Sequence, residues 1–247
     1  MTFEEKIAEF QKIYDESNNI VFFGGAGVST ESGIPDFRSQ DGLYNQEWKY
    51  PPETIISRTF FNHDPKEFYR FYRAKLIIKN AEPNAAHIAL AKMEEAGKLS
   101  AIVTQNIDGL HQKAGSKNVF ELHGSTLRNF CMNCRAPYGI DFIEESKSAP
   151  DTLPHCKKCG GLVKPDVVLY EEGLNDAIVE GAIRSIQNAD TLIIGGTSLI
   201  VYPAASLVQY FTGKYLVLIN KSETSSDKDA NLVIHDSIGK VFSSIKI

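Results

Sequence analysis

A glycine-rich segment followed by polar residues, Gly24 to Arg38, has the residue types best suited to chemistry in this sequence. It comes directly after Ile20 to Phe23, an apolar run typical of a buried parallel strand that ends in a tight turn. Glycines let such a turn pack closely and direct its N–H groups outward, as a bound pyrophosphate requires. Thr30 stands where the common dinucleotide motif has its third glycine, so a purely structural turn is the alternative to a nucleotide site.

Two further predicted strand ends carry polar side chains. Gln105, Asn106 and Asp108 follow one apolar run, and His123 follows another. Because ligands of open parallel sheets bind beyond the carboxyl ends of the strands, we expect all three clusters to meet in one site. A lone histidine is more often structural than catalytic, so a catalytic role for His123 depends on the other two clusters.

All four cysteines belong to two pairs, Cys131-x2-Cys134 and Cys156-x2-Cys159, with 21 residues between the pairs. Two such pairs form a tetrahedral thiolate cage for zinc when each lies on a short turn. His155 is an alternative ligand, but four thiolates already fill the shell. Since no position is left for water, we expect one structural Zn²⁺ and no chemistry at the metal.

The composition is that of an ordinary globular protein. The 247 residues are 43% hydrophobic and 23% charged, and no run approaches the roughly 18 apolar residues of a membrane-spanning helix. The first residues are acidic and amphipathic, unlike a secretory signal, so we expect a cytoplasmic protein without membrane partners. The net charge of −5 gives no general attraction to nucleic acid.

The elements that must position these residues alternate between apolar β-prone runs and helical stretches. This pattern predicts an α/β fold, a Rossmann-like doubly wound parallel sheet with helices on both faces. A zinc ribbon and an aromatic helical insertion interrupt it and form a smaller domain. The predicted core is 1–38, 84–124 and 166–247, the helical insertion is 39–83, and the zinc ribbon is 125–165. The predicted strands are 20–23, 99–104, 119–122, 167–170, 191–194, 215–219 and 232–234.

Several motifs occur in an order and spacing that cover nearly the whole chain. They are GAGVSTESGIPDFR, TQNIDGLHQKAG, ELHGS, the two CxxC pairs, KPDVVLYEE, GTSLIVYPAA and Ile219-Asn220. In this combination the chain resembles the sirtuins, the NAD-dependent protein lysine deacylases. The resemblance implies that the acyl oxygen attacks the nicotinamide ribose, that nicotinamide leaves, and that the acyl group moves to a ribose hydroxyl. The products would be nicotinamide, free lysine and O-acyl-ADP-ribose.

The resemblance also implies a role for each matching residue. His123 would be the general base on a ribose hydroxyl, a task that suits an unperturbed pKa of about 6.5, and Asn106 would be the second catalytic residue. Phe37 would cover the reactive ribose face, and backbone near Asp236 would contact adenine. The other NAD contacts implied are Gly25, Ala26, Gly27, Thr30, Ile34, Asp36, Arg38, Gln105, Ile107, Asp108, Gly196, Thr197, Ser198 and Asn220.

The substrate peptide of this family lies as an added strand along the segment that matches 167–172. The implied substrate contacts are Val167, Val168, Tyr170, Glu171 and Tyr72. Glu171 replaces a usual glycine, and we expect its side chain either to narrow the peptide groove or to favour basic flanking residues. Family members that prefer succinyl-lysine carry Tyr-x-x-Arg where this chain has Tyr72 and Lys75. Without the bidentate arginine, we expect acetyl or other uncharged acyl groups.

Two other functions compete with this one. ADP-ribosyl transfer to a protein would use the same NAD site with a different acceptor. A non-catalytic zinc-ribbon module that binds nucleic acid would need a basic patch around the ribbon. The ribbon has Arg128, Arg135, Lys147, Lys157, Lys158 and Lys164, but also Asp141, Glu144, Glu145 and Asp151. That second alternative leaves His123 and the Gln105 cluster unexplained.

Overall fold

A six-stranded parallel sheet forms the centre of the computed structural model, which describes residues 1–37, 42–45, 47–224 and 226–247. The strands of this part of the chain are β1 (Ile20–Gly24), β2 (Leu99–Thr104), β3 (Val119–Glu121), β4 (Gly124–Cys131), β5 (Pro137–Tyr138), β6 (Val163–Val167), β7 (Thr191–Gly195), β8 (Tyr215–Ile219) and β9 (Leu232–Ile234). The sheet order is β3-β2-β1-β7-β8-β9. Since β1 lies beside β7 and the chain proceeds outward from both, their carboxyl ends form the crevice where such sheets bind ligands.

Helices cover both faces of the sheet and build the insertion. The α-helices of the described residues are α1 (Phe3–Glu16), α2 (Pro52–Ile55), α3 (Arg58–His63), α4 (Pro65–Phe71), α5 (Ala85–Glu95), α6 (Leu110–Lys113), α7 (Ile140–Glu145), α8 (Asp176–Asn188) and α9 (Ile238–Ser243). A π-helical turn, Tyr72–Leu76, continues α4, and a 3₁₀ helix, Ala204–Tyr210, follows β7. None of these helices is long and apolar enough to cross a membrane.

The two faces of the sheet pack against two separate apolar layers, which confirms the doubly wound architecture. Successive residues of β1 alternate between the layers: Phe22 packs with Phe10 and Phe242 on one side, whereas Phe23 packs with Ile186 on the other. All five residues of β1 are buried. A fully apolar run without polar alternation is therefore what this central strand requires.

A three-stranded antiparallel sheet, β5-β4-β6, forms the smaller domain together with the helical insertion. Their shared core joins Phe68 and Tyr69 of the insertion to Cys131, Ile143 and Val163 of the ribbon. The smaller domain is thus one packed unit, as predicted, although its two parts are separated in the chain.

The predicted core strand 167–170 is wrong. The strand is β6, which begins at Val163 and pairs antiparallel with β4. It ends at Val167, and the next amide, that of Val168, continues the pairing by donating at 3.0 Å to the carbonyl of His123, the residue before β4. Pro165 fits an edge strand, where a missing N–H costs no ladder bond.

Candidate active site

A cleft of about 1590 Å³ lies between the carboxyl ends of the parallel strands and the smaller domain. This volume exceeds the roughly 300–1,000 Å³ of a typical single-ligand pocket, so two ligands have room side by side. Arg38 lies outside the described residues. The predicted residues that line the cleft are Ala26, Gly27, Thr30, Ile34, Asp36, Phe37, Gln105, Asn106, Ile107, Asp108, His123, Val167, Val168, Tyr170, Glu171, Gly196, Thr197, Ser198, Asn220 and Asp236.

The glycines of the first loop serve loop packing. Gly25 N donates to the Gly195 carbonyl at 3.2 Å, and Gly27 N donates to the Gly196 carbonyl at 2.8 Å. A Cβ on Gly27 would lie 2.8 Å from the Gly196 backbone, and one on Gly25 would lie 2.8 Å from Thr197 Cβ. The expectation that these two amides face a pyrophosphate is therefore wrong, because both are used to join the ends of β1 and β7.

A buried hydroxyl that sequence reasoning did not single out joins the first two clusters. Ser29 Oγ donates to Asp108 Oδ2 at 2.7 Å and accepts from Asn106 Nδ2 at 3.0 Å. Ser29 is 1% exposed and also lines the cleft. One hydroxyl thereby orients an amide and a carboxylate that come from the loop after β2. The only sequence signal is a serine inside a glycine-rich turn, which is too common to predict this role.

Asn84 is a second residue without a predicted role. Its Nδ2 donates to the Val28 carbonyl at 2.7 Å and to Ser32 Oγ at 3.0 Å, while its Oδ1 accepts from the Ala86 amide at the start of α5. Asparagine before a helical run is a common N-cap, so the helix start was predictable. Its second use, holding the loop after Val28, depends on a contact across 52 to 56 residues of chain.

His123 is positioned as a neutral base. Its Nδ1 lies 3.0 Å from the Gln105 carbonyl oxygen, and because a carbonyl only accepts, Nδ1 carries the proton. Nε2 then holds the lone pair. Burial lowers the pKa of His123 below its ordinary value, because desolvation disfavours the charged ring, and the bond to Gln105 opposes part of this shift. The expectation of an unperturbed pKa is thus corrected downward, toward a ring that is neutral at pH 7.

The loop after β2 is also joined to the loop after β7. Gln105 Nε2 donates to Thr197 Oγ1 at 3.2 Å, and the Gln105 amide donates to the Gly24 carbonyl at 2.9 Å. Thr197 Oγ1 in turn accepts from the Leu199 amide. The ends of β1, β2 and β7 therefore form one hydrogen-bonded floor beneath the cleft.

The far end of the cleft, beyond β8 and β9, carries Asn220 and Asp236. Asn220 Nδ2 donates to the Ser222 carbonyl at 2.8 Å, and the Asn220 carbonyl lies 3.0 Å from His235 Nδ1. The Asp236 carboxylate pairs with Lys240, which lowers the pKa of Asp236. With that carboxylate occupied, backbone rather than side chain is the part of Asp236 that is available to a ligand.

The four cysteines meet as predicted. Their sulfur atoms all lie within 4.8 Å of one another, with Cys131 Sγ 3.4 Å from Cys159 Sγ and Cys134 Sγ 3.6 Å from Cys156 Sγ. Tetrahedral zinc with Zn–S bonds of about 2.3 Å requires sulfur atoms about 3.8 Å apart. The cluster can hold a structural zinc ion.

Each cysteine pair lies on the same kind of turn. The Arg135 amide donates to the Cys131 carbonyl with Arg135 at φ 59°, and the Gly160 amide donates to the Cys156 carbonyl with Gly160 at φ 74°. His155 stays outside the shell, because its Nε2 lies 2.6 Å from Asp151 Oδ2.

Tyr72 does not take the place predicted for it. Its side chain is 0% exposed, and its ring stacks on Phe68 with a centroid distance of 5.6 Å. Burial raises the pKa of Tyr72 well above its ordinary value. The Tyr72 ring packs within the aromatic core of the insertion and does not line the cleft. Lys75, one helical turn further along the chain, does line it.

Comparison with known proteins agrees with this geometry. A family model described as the Sir2 family matches residues 25–203. The chain belongs to the Sir2 family. The matched part holds the glycine loop, His123, the cysteine cluster and Glu171, whereas Asn220 and Asp236 lie beyond it.

Curated relatives of this Sir2-family chain match it over nearly its full length. A protein of Clostridium perfringens named NAD-dependent protein deacetylase is 63% identical over 245 residues, which are 98% of this chain and 99% of the relative. A protein of the same name from Clostridium acetobutylicum is 60% identical over 243 residues, 98% of each chain.

Solved structures of Sir2 proteins share the fold. One, a Sir2 variant with a deacetylated p53 peptide and 3'-O-acetyl ADP ribose, has a TM-score of 0.89 at 38% identity and covers 96% of both chains. Another, Sir2 with a p53 peptide and NAD⁺, has a TM-score of 0.85 at 38% identity and covers 96% of this chain and 95% of that chain.

Proposed function

We propose that this protein is an NAD-dependent protein lysine deacetylase, which moves an acetyl or other uncharged acyl group from lysine to ADP-ribose. The observation that carries the proposal is the state of His123. It is a neutral imidazole with its proton fixed on Nδ1 by Gln105, and it lies in the same cleft as the polar ends of β1, β2 and β7.

The residues that line the cleft have the hydrogen-bonding groups that NAD requires. Buried hydroxyl and amide groups of Ser29, Asn106 and Thr197 line the floor and would supply donors and acceptors to the ribose and the carboxamide. Bound NAD would supply an electrophilic ribose carbon with nicotinamide as its leaving group. Asp108 would accept from the carboxamide, and Gln105 would hold the ribose.

His123 would remove the proton from a ribose hydroxyl through Nε2. Because its folded pKa is lowered, the ring is in the base form at pH 7 and activity should fall as the pH drops through the folded pKa. The Gln105 carbonyl keeps the proton on Nδ1 and then stabilises the ring once Nε2 is protonated.

The remaining roles follow from this assignment. The protein would act as an acyl transferase, and the four thiolates would hold zinc in a reducing cytoplasm. Arg128 pairs with Glu121 and Asp166, and Lys164 pairs with Glu172, so these ribbon cations are already neutralised, which supports a protein rather than a nucleic-acid partner. We propose the predicted division into the core (1–38, 84–124 and 166–247), the helical insertion (39–83) and the zinc ribbon (125–165), although β6 continues two residues past the last boundary.

Incubation with NAD and an acetyl-lysine peptide tests the proposal. Nicotinamide should be released only when the peptide is acetylated, and succinyl-lysine in the same peptide should react more slowly. His123→Ala should lower turnover by about 10²–10⁴-fold while the melting temperature stays the same. Retained turnover in that variant would remove the role of His123, and labelled ADP-ribose on a peptide that keeps its acetyl group would favour ADP-ribosyl transfer.

A further inference from the structure

Glu171 has a backbone conformation that side chains seldom adopt. Its φ is 73°, in the left-handed region that glycine enters freely and other residues do not. Such a conformation persists only where the surrounding contacts hold it in place. Glu171 also lines the cleft, on the segment expected to pair with the substrate peptide.

Two hydrogen bonds hold the Glu171 side chain. Its Oε2 accepts from the Thr59 amide at 2.9 Å and from Thr59 Oγ1 at 2.6 Å. The Thr59 amide lies in the first turn of α3, where amides have no partner within the helix. These bonds lower the pKa of Glu171, so the carboxylate is ionised at neutral pH and both bonds are charge-assisted.

The neighbouring residue is held to the same part of the insertion. The Tyr170 amide donates to the Ile56 carbonyl at 3.0 Å, and the Tyr170 carbonyl accepts from the Arg58 amide at 3.0 Å. The Tyr170 hydroxyl lies 2.7 Å from the Tyr44 hydroxyl. Segment 170–171 is therefore bound to the helical insertion by backbone and side chain alike.

We propose that Glu171 is a positioning residue whose bond to Thr59, here called the Glu171–Thr59 contact, fixes the substrate segment against the helical insertion before the peptide binds. A segment that is already ordered loses less conformational entropy on binding, so peptide affinity rises without any new contact to the peptide. This inference rests on the proposed function, because it takes an acylated peptide as the ligand of segment 167–172. It gives the Glu171 carboxylate a role within the protein, since Thr59 binds one of its oxygens, Oε2.

The contact itself can be tested without activity. In Glu171→Gly, the Thr59 amide loses its acceptor, and its hydrogen exchange should become at least about tenfold faster than in the wild type. Glu53→Gln is the matched control, since it removes an exposed charge from the same insertion outside the cleft. Unchanged exchange at Thr59 in Glu171→Gly would overturn the contact.

The positioning role is tested by steady-state kinetics with an acetylated peptide. Glu171→Gly should raise the KM for the peptide about fivefold to tenfold, whereas kcat and the KM for NAD should stay within about twofold. Glu171→Gln and Thr59→Val should have smaller effects of the same kind, because each keeps part of the contact. The double variant Glu171→Gly/Thr59→Val should be no worse than Glu171→Gly alone, since the second change removes a partner of a missing carboxylate.

The outcomes separate this inference from the proposed function. If the wild type released no nicotinamide, the proposed function would be refuted. Hydrogen exchange at the Thr59 amide would still test the Glu171–Thr59 contact in that case. Faster exchange at Thr59 without a change in peptide KM would overturn the positioning role. A loss in Glu171→Gln confined to peptides with flanking Lys or Arg would overturn it in favour of charge recognition.

Discussion

The two walls of the cleft are fixed by different means. The core wall consists of strand ends joined by hydrogen bonds between side chains, such as Ser29 to Asp108 at 2.7 Å and Gln105 to Thr197 at 3.2 Å. Over the described residues, the wall of the smaller domain has a three-stranded sheet, and it depends on a cysteine cluster and on side-chain contacts such as Glu171 to Thr59. The chemical groups lie mostly on the first wall. We infer that the second wall mainly places the substrate, and that each wall can fail without the other.

Removal of zinc should produce the largest effect and should be confined to the smaller domain. Structural zinc contributes about 10–16 kcal/mol to the folding of small zinc modules. Chelation under reducing conditions, or Cys156→Ser, should abolish peptide turnover and change the fluorescence of Trp48, the single tryptophan of the chain. Trp48 packs on Phe71 of the insertion, which shares its core with the ribbon. NAD binding measured by calorimetry should persist.

His155→Ala is the matched control for this experiment. His155 adjoins Cys156 but bonds to Asp151, so this variant should keep its zinc and its turnover. Full peptide turnover by the zinc-free protein would show that the smaller domain does not depend on the metal, and loss of NAD binding together with zinc would show that the walls are not independent.

Acid should destabilise the core domain through two buried histidines of α5 and α6. His87 and His111 lie with ring centroids 4.7 Å apart, and within the described residues neither ring nitrogen of His111 has a hydrogen-bond partner. Burial lowers the pKa of His87 to about 4 and that of His111 to about 3, from 6.5. Since the unfolded chain then binds protons that the folded chain does not, stability is complete above about pH 6.5 and falls as the pH drops toward 3.

For each histidine, the loss at pH 5 is on the order of 2 kcal/mol in the free energy of unfolding. Thermal unfolding between pH 8 and pH 4.5 measures it. His111→Leu should flatten the pH dependence, and it should do so equally in zinc-loaded and zinc-free protein, which separates this effect from acid release of the metal. An unchanged slope in His111→Leu would assign the acid sensitivity to other groups.

The core could be predicted from sequence because its signals are local. The buried strands, the cysteine pairs and the polar strand ends each show in a few consecutive residues, and the family resemblance placed His123 among them. The features that could not be predicted depend on contacts between residues that are far apart in the sequence. Ser29 meets residues 77 and 79 positions away, and Tyr72 is buried by packing within the insertion.

The start of β6 was missed for the same kind of reason. Its bounds follow from pairing with β4 across the zinc turns, which no local pattern reveals. Glu171 is a third example: the sequence showed that this residue is unusual for its position, but it did not show that Thr59 is its hydrogen-bond partner. The contact with Thr59 spans 112 residues, so no local pattern could predict it.

Ser29→Ala tests whether the core wall fails on its own, and its effect should be smaller than those of zinc removal and acid. Loss of Oγ leaves Asp108 Oδ2 without its donor and Asn106 Nδ2 without its acceptor, at a cost of about 1–3 kcal/mol. If that free energy is lost from NAD binding, the KM for NAD should rise about tenfold. Ser32→Ala, on the same loop, removes one acceptor for Asn84 and should have a weaker effect.

The KM values for the two substrates, NAD and the acetylated peptide, test whether the two walls of the cleft are independent. With the walls independent, Ser29→Ala should leave the KM for the acetylated peptide within about twofold of the wild type, whereas Glu171→Gly should show the reverse pattern. Equal rises in the KM for NAD and the KM for the peptide in Ser29→Ala would mean that a change on the core wall also alters the substrate segment. The hydrogen bond between the Tyr44 and Tyr170 hydroxyls would be one route for this effect, since Tyr44 packs on Phe37, which lines the cleft.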